Sequence, residues 1–374
     1  MKLLIADDGK HLNFAPLTLT RPVAELRLGL MTISERWSLY LKPTAIGFET
    51  EAYLSAKYPD LDADVVVNAS VIPDSVIATE IADLKEDSSL MFGEIWIAKK
   101  GEGAKSIDTK SIPVILNKRW DLYMNNEELI NRDFDLLTKG RVSQKLSPTN
   151  TLIGDHSRLF IEEGAVIEAS VLNVKDGPVY IAKDAEVMEG SMIRGPFGLL
   201  EHATIKMGAK IYGGTTIGPH CKVGGEVSNS IFYAYSNKGH DGFVGNSLIG
   251  EWCNLGADTN TSNLKNNYGK VKTFDFREKR LVQTDVTFMG LSMGDHSKAS
   301  INTMFNTAST TGVFTNIFQA GFPDKFLPSF SWGTKDVVFD FDKALEVGNA
   351  MMARRGAELS KEDVAIFHFL FDQK

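Results

Sequence analysis

The chain has 374 residues, 43% hydrophobic and 24% charged, enough for two or three domains with a sizeable core. Its net charge of −8 argues against a general nucleic-acid binder, and no run approaches the roughly 20 apolar residues of a membrane span. Cys221 and Cys253 are too few for a disulfide framework, and the opening "MKLLIADDGK" is too short in apolar residues for a signal peptide, so a reducing cytoplasm is the expected setting.

Residues 1–150 are expected to form an α/β domain with a linking helix. "KLLIA" and "DVVVNASVI" read as buried strands, and "AELRLGLMTISERWSLYL" as a helix with an apolar face. "DLYMNNEELINRDFDLLTKGR" reads as the linking helix, closed near Gly140.

From residue 151 the period changes. Ile181, Val187, Ile193, Leu199, Ile205, Ile211, Ile217 and Val223 open eight consecutive hexads, and small or β-branched residues stand four places later in all but one. Shorter blocks flank the run at Ile161 and Ile167, at Phe243, Ile249 and Leu255, and at Met293, Ala299 and Phe305. Six is a multiple of two, so each hexad suits a short strand that turns one large aliphatic side chain inward. Three hexads, roughly 18 residues, make one triangular coil of a parallel β-helix, predicted over 151–333. His156, His202, His220 and His296 take the fourth hexad position, which predicts exposed turn residues and not a metal centre, since no third ligand is evident. Both cysteines fall at the small corner position and read as packing. In residues 334–374, "FDKALEVGNAMMARRGAEL" and "SKEDVAIFHFLFD" read as two helices that cap or brace the coil.

The stretch "NKGHDGFVGNSLIGEWCNLGADTNTSNLK" resembles the GlmU family of two-headed sugar-1-phosphate nucleotidyltransferases and amino-sugar-phosphate N-acetyltransferases. The matching residues are His240, Phe243 (where those enzymes carry a tyrosine), Gly245, Asn246, Ser247 and Asn263. "KVKTFDFREKRLV" resembles the family's inserted hairpin, expected at about 264–287, with Lys270 and Lys272 at the positions of its substrate-phosphate lysines. The resemblance implies a left-handed coil and a homotrimer. It also implies transfer of an acetyl group from acetyl-CoA to an amino-sugar 1-phosphate, in nucleotide-sugar or cell-envelope synthesis. Such chemistry suits these residue types. A histidine with a pKa near 6.5 can accept the amine's proton, Asn263 can hydrogen-bond the acceptor, and a cationic hairpin suits a phosphate.

The amino terminus resembles the other head. "LLIA", the loop "DDGKHLNF" and "PLTLTRPV" are similar to the signature strand, phosphate loop and "PLTxxRPK" of the nucleotidyltransferases, with Val23 in place of the lysine and Ala69 or Ser70 in place of the metal-binding aspartate. Lys10 and Arg21 remain as phosphate contacts, and Mg2+ is implied only if this head is active. Two alternatives stand beside the acetyltransferase: a nucleotidyltransferase whose coil serves to trimerise it, and a non-catalytic sugar-nucleotide-binding scaffold.

Overall fold

The valine and isoleucine runs of the amino-terminal third become strands buried in a six-stranded sheet. Lys2–Ala6 lies between Ala45–Glu49 and Val65–Asn68, all parallel, with Leu4 in register with Gly47 and Val66. Ile95–Lys100 joins antiparallel to Val65–Asn68, followed by Ser88–Phe92 and Lys105–Asp108. A computed structural model describes residues 1–374 and divides into two units. This sheet belongs to the first unit, formed by Met1–Arg27, Met31–Asp121 and Lys361–Phe369. The second comprises Leu28–Leu30, Leu122–Ser360 and Leu370–Lys374.

The helices are α1 (Ile33–Leu41), α2 (Ser75–Ala82), α3 (Trp120–Met124), α4 (Asn126–Thr138), α5 (Phe341–Ala353) and α6 (Lys361–Asp372). The helix expected from Ala24 onward thus begins only at Ile33. Gly29 takes a left-handed φ of 65° that no helix continues through. Thr32 then starts α1 with a capping box, its hydroxyl accepting the Glu35 N–H at 3.1 Å while the Glu35 carboxylate accepts the Thr32 N–H at 2.6 Å. The single linking helix is two, α3 and α4. Asn126, fully buried at the start of α4, donates to the Gly214 carbonyl at 2.7 Å and accepts from the Gly29 N–H at 2.6 Å. In the first unit, α6 is fixed by the Lys57–Asp363 ion pair at 2.6 Å and by Phe369 stacked on Tyr53 at 4.2 Å.

The hexads build a parallel β-solenoid with three faces. Ile181 pairs with Leu199 and Leu199 with Ile217 on one face; Val187, Ile205 and Val223 align on the second, and Ile193 and Ile211 on the third. Every one of these side chains is buried in one continuous core. At the middle of the coil the period slips, because the coil shortens. Val223 pairs with Lys238 and Val227 with Val244. Val244 therefore holds the interior position assigned to Phe243, whose own side chain is half-buried outside. Further on, Ile249 pairs with Met293. The intervening chain carries an antiparallel hairpin, Lys272–Asp275 with Arg280–Gln283.

One corner of the solenoid carries an unbroken aromatic ladder. His202, His220, Tyr235, Trp252, His296, Phe314 and Phe330 follow one another with ring centroids 4.8, 4.6, 4.1, 6.3, 4.5 and 5.5 Å apart and planes within 17°. All seven have φ between 53° and 59°. This left-handed conformation costs an L-residue about 1–2 kcal/mol, and at each step the stacked rings offset that cost. The widest step, Trp252 to His296, is where the hairpin is inserted. At the far end Phe330 meets Phe341 and Phe371. His296 is accordingly buried at 3% exposure, not an exposed turn residue as its hexad position predicts. Cys221 and Cys253 are buried and form no disulfide, and burial pushes the Cys253 thiol far above its usual range.

Candidate functional site

The sequence "NKGHDGFVGN" spans two short strands of the solenoid, Asn237–Lys238 and Phe243–Gly245, and the corner between them. Its strand Asn237–Lys238 puts Lys238 at an interior position otherwise held by aliphatic residues, with no exposed surface. The Lys238 ammonium bends to the corner and donates to the main-chain oxygens of His240 at 2.6 Å and Asp241 at 2.8 Å. Burial lowers its pKa to about 8, against the attraction of Asp241 and Asp258. A buried cation thus fixes the turn from which the exposed His240 side chain projects. Gly225 crosses beneath the same turn, where a Cβ would lie 2.9 Å from the His240 oxygen.

Phe243 and Gly245 form the next strand, Phe243–Gly245, and meet Asn263 there. A Cβ at position 245 would stand 2.6 Å from Phe243 Cζ and 2.7 Å from Asn263 Nδ2, so only glycine lets the ring and the amide flank it. The amide of Asn263 donates to Asn246 Oδ1 at 2.7 Å, which fixes its orientation. The Phe243 N–H is taken by Asn260 Oδ1 at 2.8 Å.

Lys272 opens the first hairpin strand and Lys270 lies two residues earlier, both exposed. The Lys265 ammonium donates to the Lys270 carbonyl at 2.9 Å, and that of Lys325 to the Lys272 carbonyl at 3.1 Å. Lys325 is held below the usual lysine range by burial and by the charges of Lys265 and Lys272, so three cations share one field. The structure therefore groups Phe243 with Asn263, and Lys272 with Lys265 and Lys325. No hydrogen bond joins the hairpin lysines to His240 or Asn263. Sequence reasoning missed Lys238 and Lys325. Lys238 was findable as the residue one hexad after the buried Phe232; Lys325 carries no local signal.

In the first unit, Asp8 and Gly9 take left-handed φ values of 51° and 64° after the first strand, and the loop turns back to Lys10. The Lys10 ammonium donates to Ser70 Oγ at 2.9 Å and Asn117 Oδ1 at 3.1 Å, and burial lowers its pKa against the pull of Asp8 and Asp121. Arg21 is buried, with Nη2 3.4 Å from Thr20 Oγ1. Val23 has no exposed surface, and its N–H donates to Asp7 Oδ1 at 2.8 Å.

Residues 3–142 match the family described as sugar nucleotidyl transferase. The "Bifunctional protein GlmU" of Methanocaldococcus jannaschii is 29% identical over 206 residues, 55% of this chain and 43% of that protein. Its namesake from Ralstonia nicotianae is 24% identical over 216 residues, 52% and 47% of the two chains. The chain thus spans less than half the length of these curated relatives. Among solved structures, a UDP-N-acetylglucosamine acyltransferase from Campylobacter jejuni aligns over 61% of this chain and 96% of its own, at 14% identity and a TM-score of 0.15.

Proposed function

The chain is GlmU-like, and on that premise we propose that it is a transferase. In this reading its solenoid moves an acetyl group from acetyl-CoA to the amine of an amino-sugar 1-phosphate, as a homotrimer in the cytoplasm. The observation that carries the reading is the broken hexad. The repeat gives up an aliphatic residue for the buried Lys238, whose two hydrogen bonds hold the turn bearing His240. On the next strand, Phe243–Gly245, Gly245 makes room for Phe243 and Asn263 together. A packing role alone would not need either departure from the repeat.

In this mechanism the amine nitrogen attacks the thioester carbon while His240 takes the amine's proton. The C–N bond forms, the C–S bond breaks, and the CoA thiolate leaves and takes up a proton. Asn263, oriented by Asn246, hydrogen-bonds the acceptor, and the Phe243 ring covers one side of it. Lys270 and Lys272, with Lys265 and Lys325, hold the sugar phosphate by charge. The test is thiol release from acetyl-CoA with glucosamine 1-phosphate and related amino-sugar phosphates. No turnover with any of them would reject the reading. Sedimentation equilibrium should give three times the chain mass of 41.2 kDa; a monomer would reject the trimer.

The match of residues 3–142 favours a second reading, nucleotidyl transfer by the first unit with Lys10 and Arg21 on phosphate. The residues around the loop do not suit Mg2+. Asp8 accepts from Trp96 Nε1 at 2.9 Å and Asn68 Nδ2 at 3.0 Å, and Asp7 is engaged by Val23, Thr50 and His11. No group of three His, Cys, Asp or Glu side chains gathers there. Pyrophosphate release from nucleoside triphosphates is expected to be weak or absent.

A further inference from the structure

Beside the aromatic ladder, the solenoid face and the carboxyl-terminal half of α5 enclose a cavity of about 560 Å³. Its charged lining is entirely cationic: Lys222 and Lys298 from the solenoid strands, Arg354 and Arg355 from the end of α5. None of these four forms an ion pair; Lys298 Nζ donates only to the His296 carbonyl, at 2.9 Å. Their charges act on one another. Lys222 is held below its usual range by burial, then by Arg355, Lys206 and Arg354, with Glu186 the one carboxylate opposing them. Like charges gathered with a single opposing carboxylate raise the energy of the empty cavity, and a polyanion would relieve it.

The rest of the lining narrows the ligand further. Asn237 Nδ2 donates to Asn254 Oδ1 at 2.9 Å, which leaves an amide oxygen and an amide N–H for a bound molecule. Val347, Ala350 and Met351 supply an apolar wall that inorganic phosphate could not use. The faces of Tyr235 and Trp252 are taken up by the ladder, so these rings present edges and not stacking surfaces.

We propose that this cavity binds the diphosphate group of an organic diphosphate ester, with the four cations on the phosphates and the α5 wall against the organic part. Nucleoside diphosphates and CoA share that chemistry. The proposal does not rest on acetyl transfer at His240, because its readout is binding.

The experiment is titration calorimetry of the full chain with UDP, CoA and inorganic pyrophosphate, in parallel with the double variant Arg354→Glu/Arg355→Glu. Circular dichroism establishes that the variant is folded; if it is not, Arg354→Gln/Arg355→Gln replaces it. Either UDP or CoA should bind below about 1 mM, more tightly than pyrophosphate, and the double variant should bind it about tenfold or more weakly. Preference for UDP would identify a nucleotide site and preference for CoA an acyl-donor site. Affinity unchanged in the variant, no binding of either ester, or pyrophosphate binding as tightly as the esters would overturn the proposal.

Discussion

The Lys238 ammonium reaches from inside the solenoid to the main-chain oxygens of His240 and Asp241, at 2.6 and 2.8 Å. The side chain that takes an aliphatic position in the core is thus also the one that fixes the exposed histidine's turn. Burial lowers the Lys238 pKa from 10.5 to about 8. Between those values the unfolded chain binds more protons than the folded one, so this group's contribution to stability rises with pH. Below the folded pKa the cost of burying the charge is fully present; above the unfolded pKa it is gone. Against Lys238→Met, the wild type should gain up to roughly 3 kcal/mol across that window. Urea unfolding of both proteins at several pH values measures it, and a difference that does not change with pH would refute the assignment.

The role of His240 is tested by His240→Ala, which should lower kcat for acetyl transfer by roughly 10²–10⁴ while the fold persists. His156→Ala, in a short exposed helical turn, serves as the control and should leave kcat unchanged. Equal rates in wild type and His240→Ala would make this histidine an ordinary corner residue.

Gly245→Ala tests whether Phe243 and Asn263 act together. The added methyl must displace one or both of them. We expect KM for the amino-sugar phosphate to rise about tenfold or more with a smaller effect on kcat. The further change Phe243→Ala should recover part of that loss by making room. If Gly245→Ala leaves KM unaltered, the two side chains do not contact the acceptor.

At Trp252 the usual order of small substitutions should reverse. Trp252→Ala should cost about 3–5 kcal/mol through the lost ring. Trp252→Gly should cost about 1 kcal/mol less, because glycine accepts the φ of 57° without strain. Chemical denaturation of the two variants decides it; alanine proving the more stable would show that the backbone there relaxes once the ring is removed.

Much of the solenoid was legible because its period is written in single residues. Ile181 to Val223 each place one side chain of a short strand inside the core, as their spacing predicts. The reading slipped at Phe243 because the coils there are shorter, and a fixed count of six then lands one residue early. The ladder was hidden for the same reason. His202 and His220 share a hexad position, but Tyr235 and Trp252 reach the corner only after the coil has shortened. In the first unit, the apolar run before Thr32 suggested a longer helix, although the pair Thr32 and Glu35 already marked its start. At the candidate site, residue types pointed to His240 and Asn263. Lys238 stands one hexad after Phe232, but its hold on the His240 turn, and the room that Gly245 leaves for Phe243 and Asn263, become visible only in the folded chain.

The seven rings of the ladder form a chain of nearest neighbours in which each link is shared by two coils. Removing a ring from the open end at His202 breaks one link, whereas removing Tyr235 breaks two and divides the chain into separate runs. Damage therefore scales with position along the axis and not with ring size alone. The coils on either side of a central gap lose their shared cooperative length and can open independently. Because the hairpin enters at the widest link, the solenoid already has a natural seam between Trp252 and His296. The coils that carry His240 lie on its amino-terminal side, and those braced by Phe341 and Phe371 lie on the other.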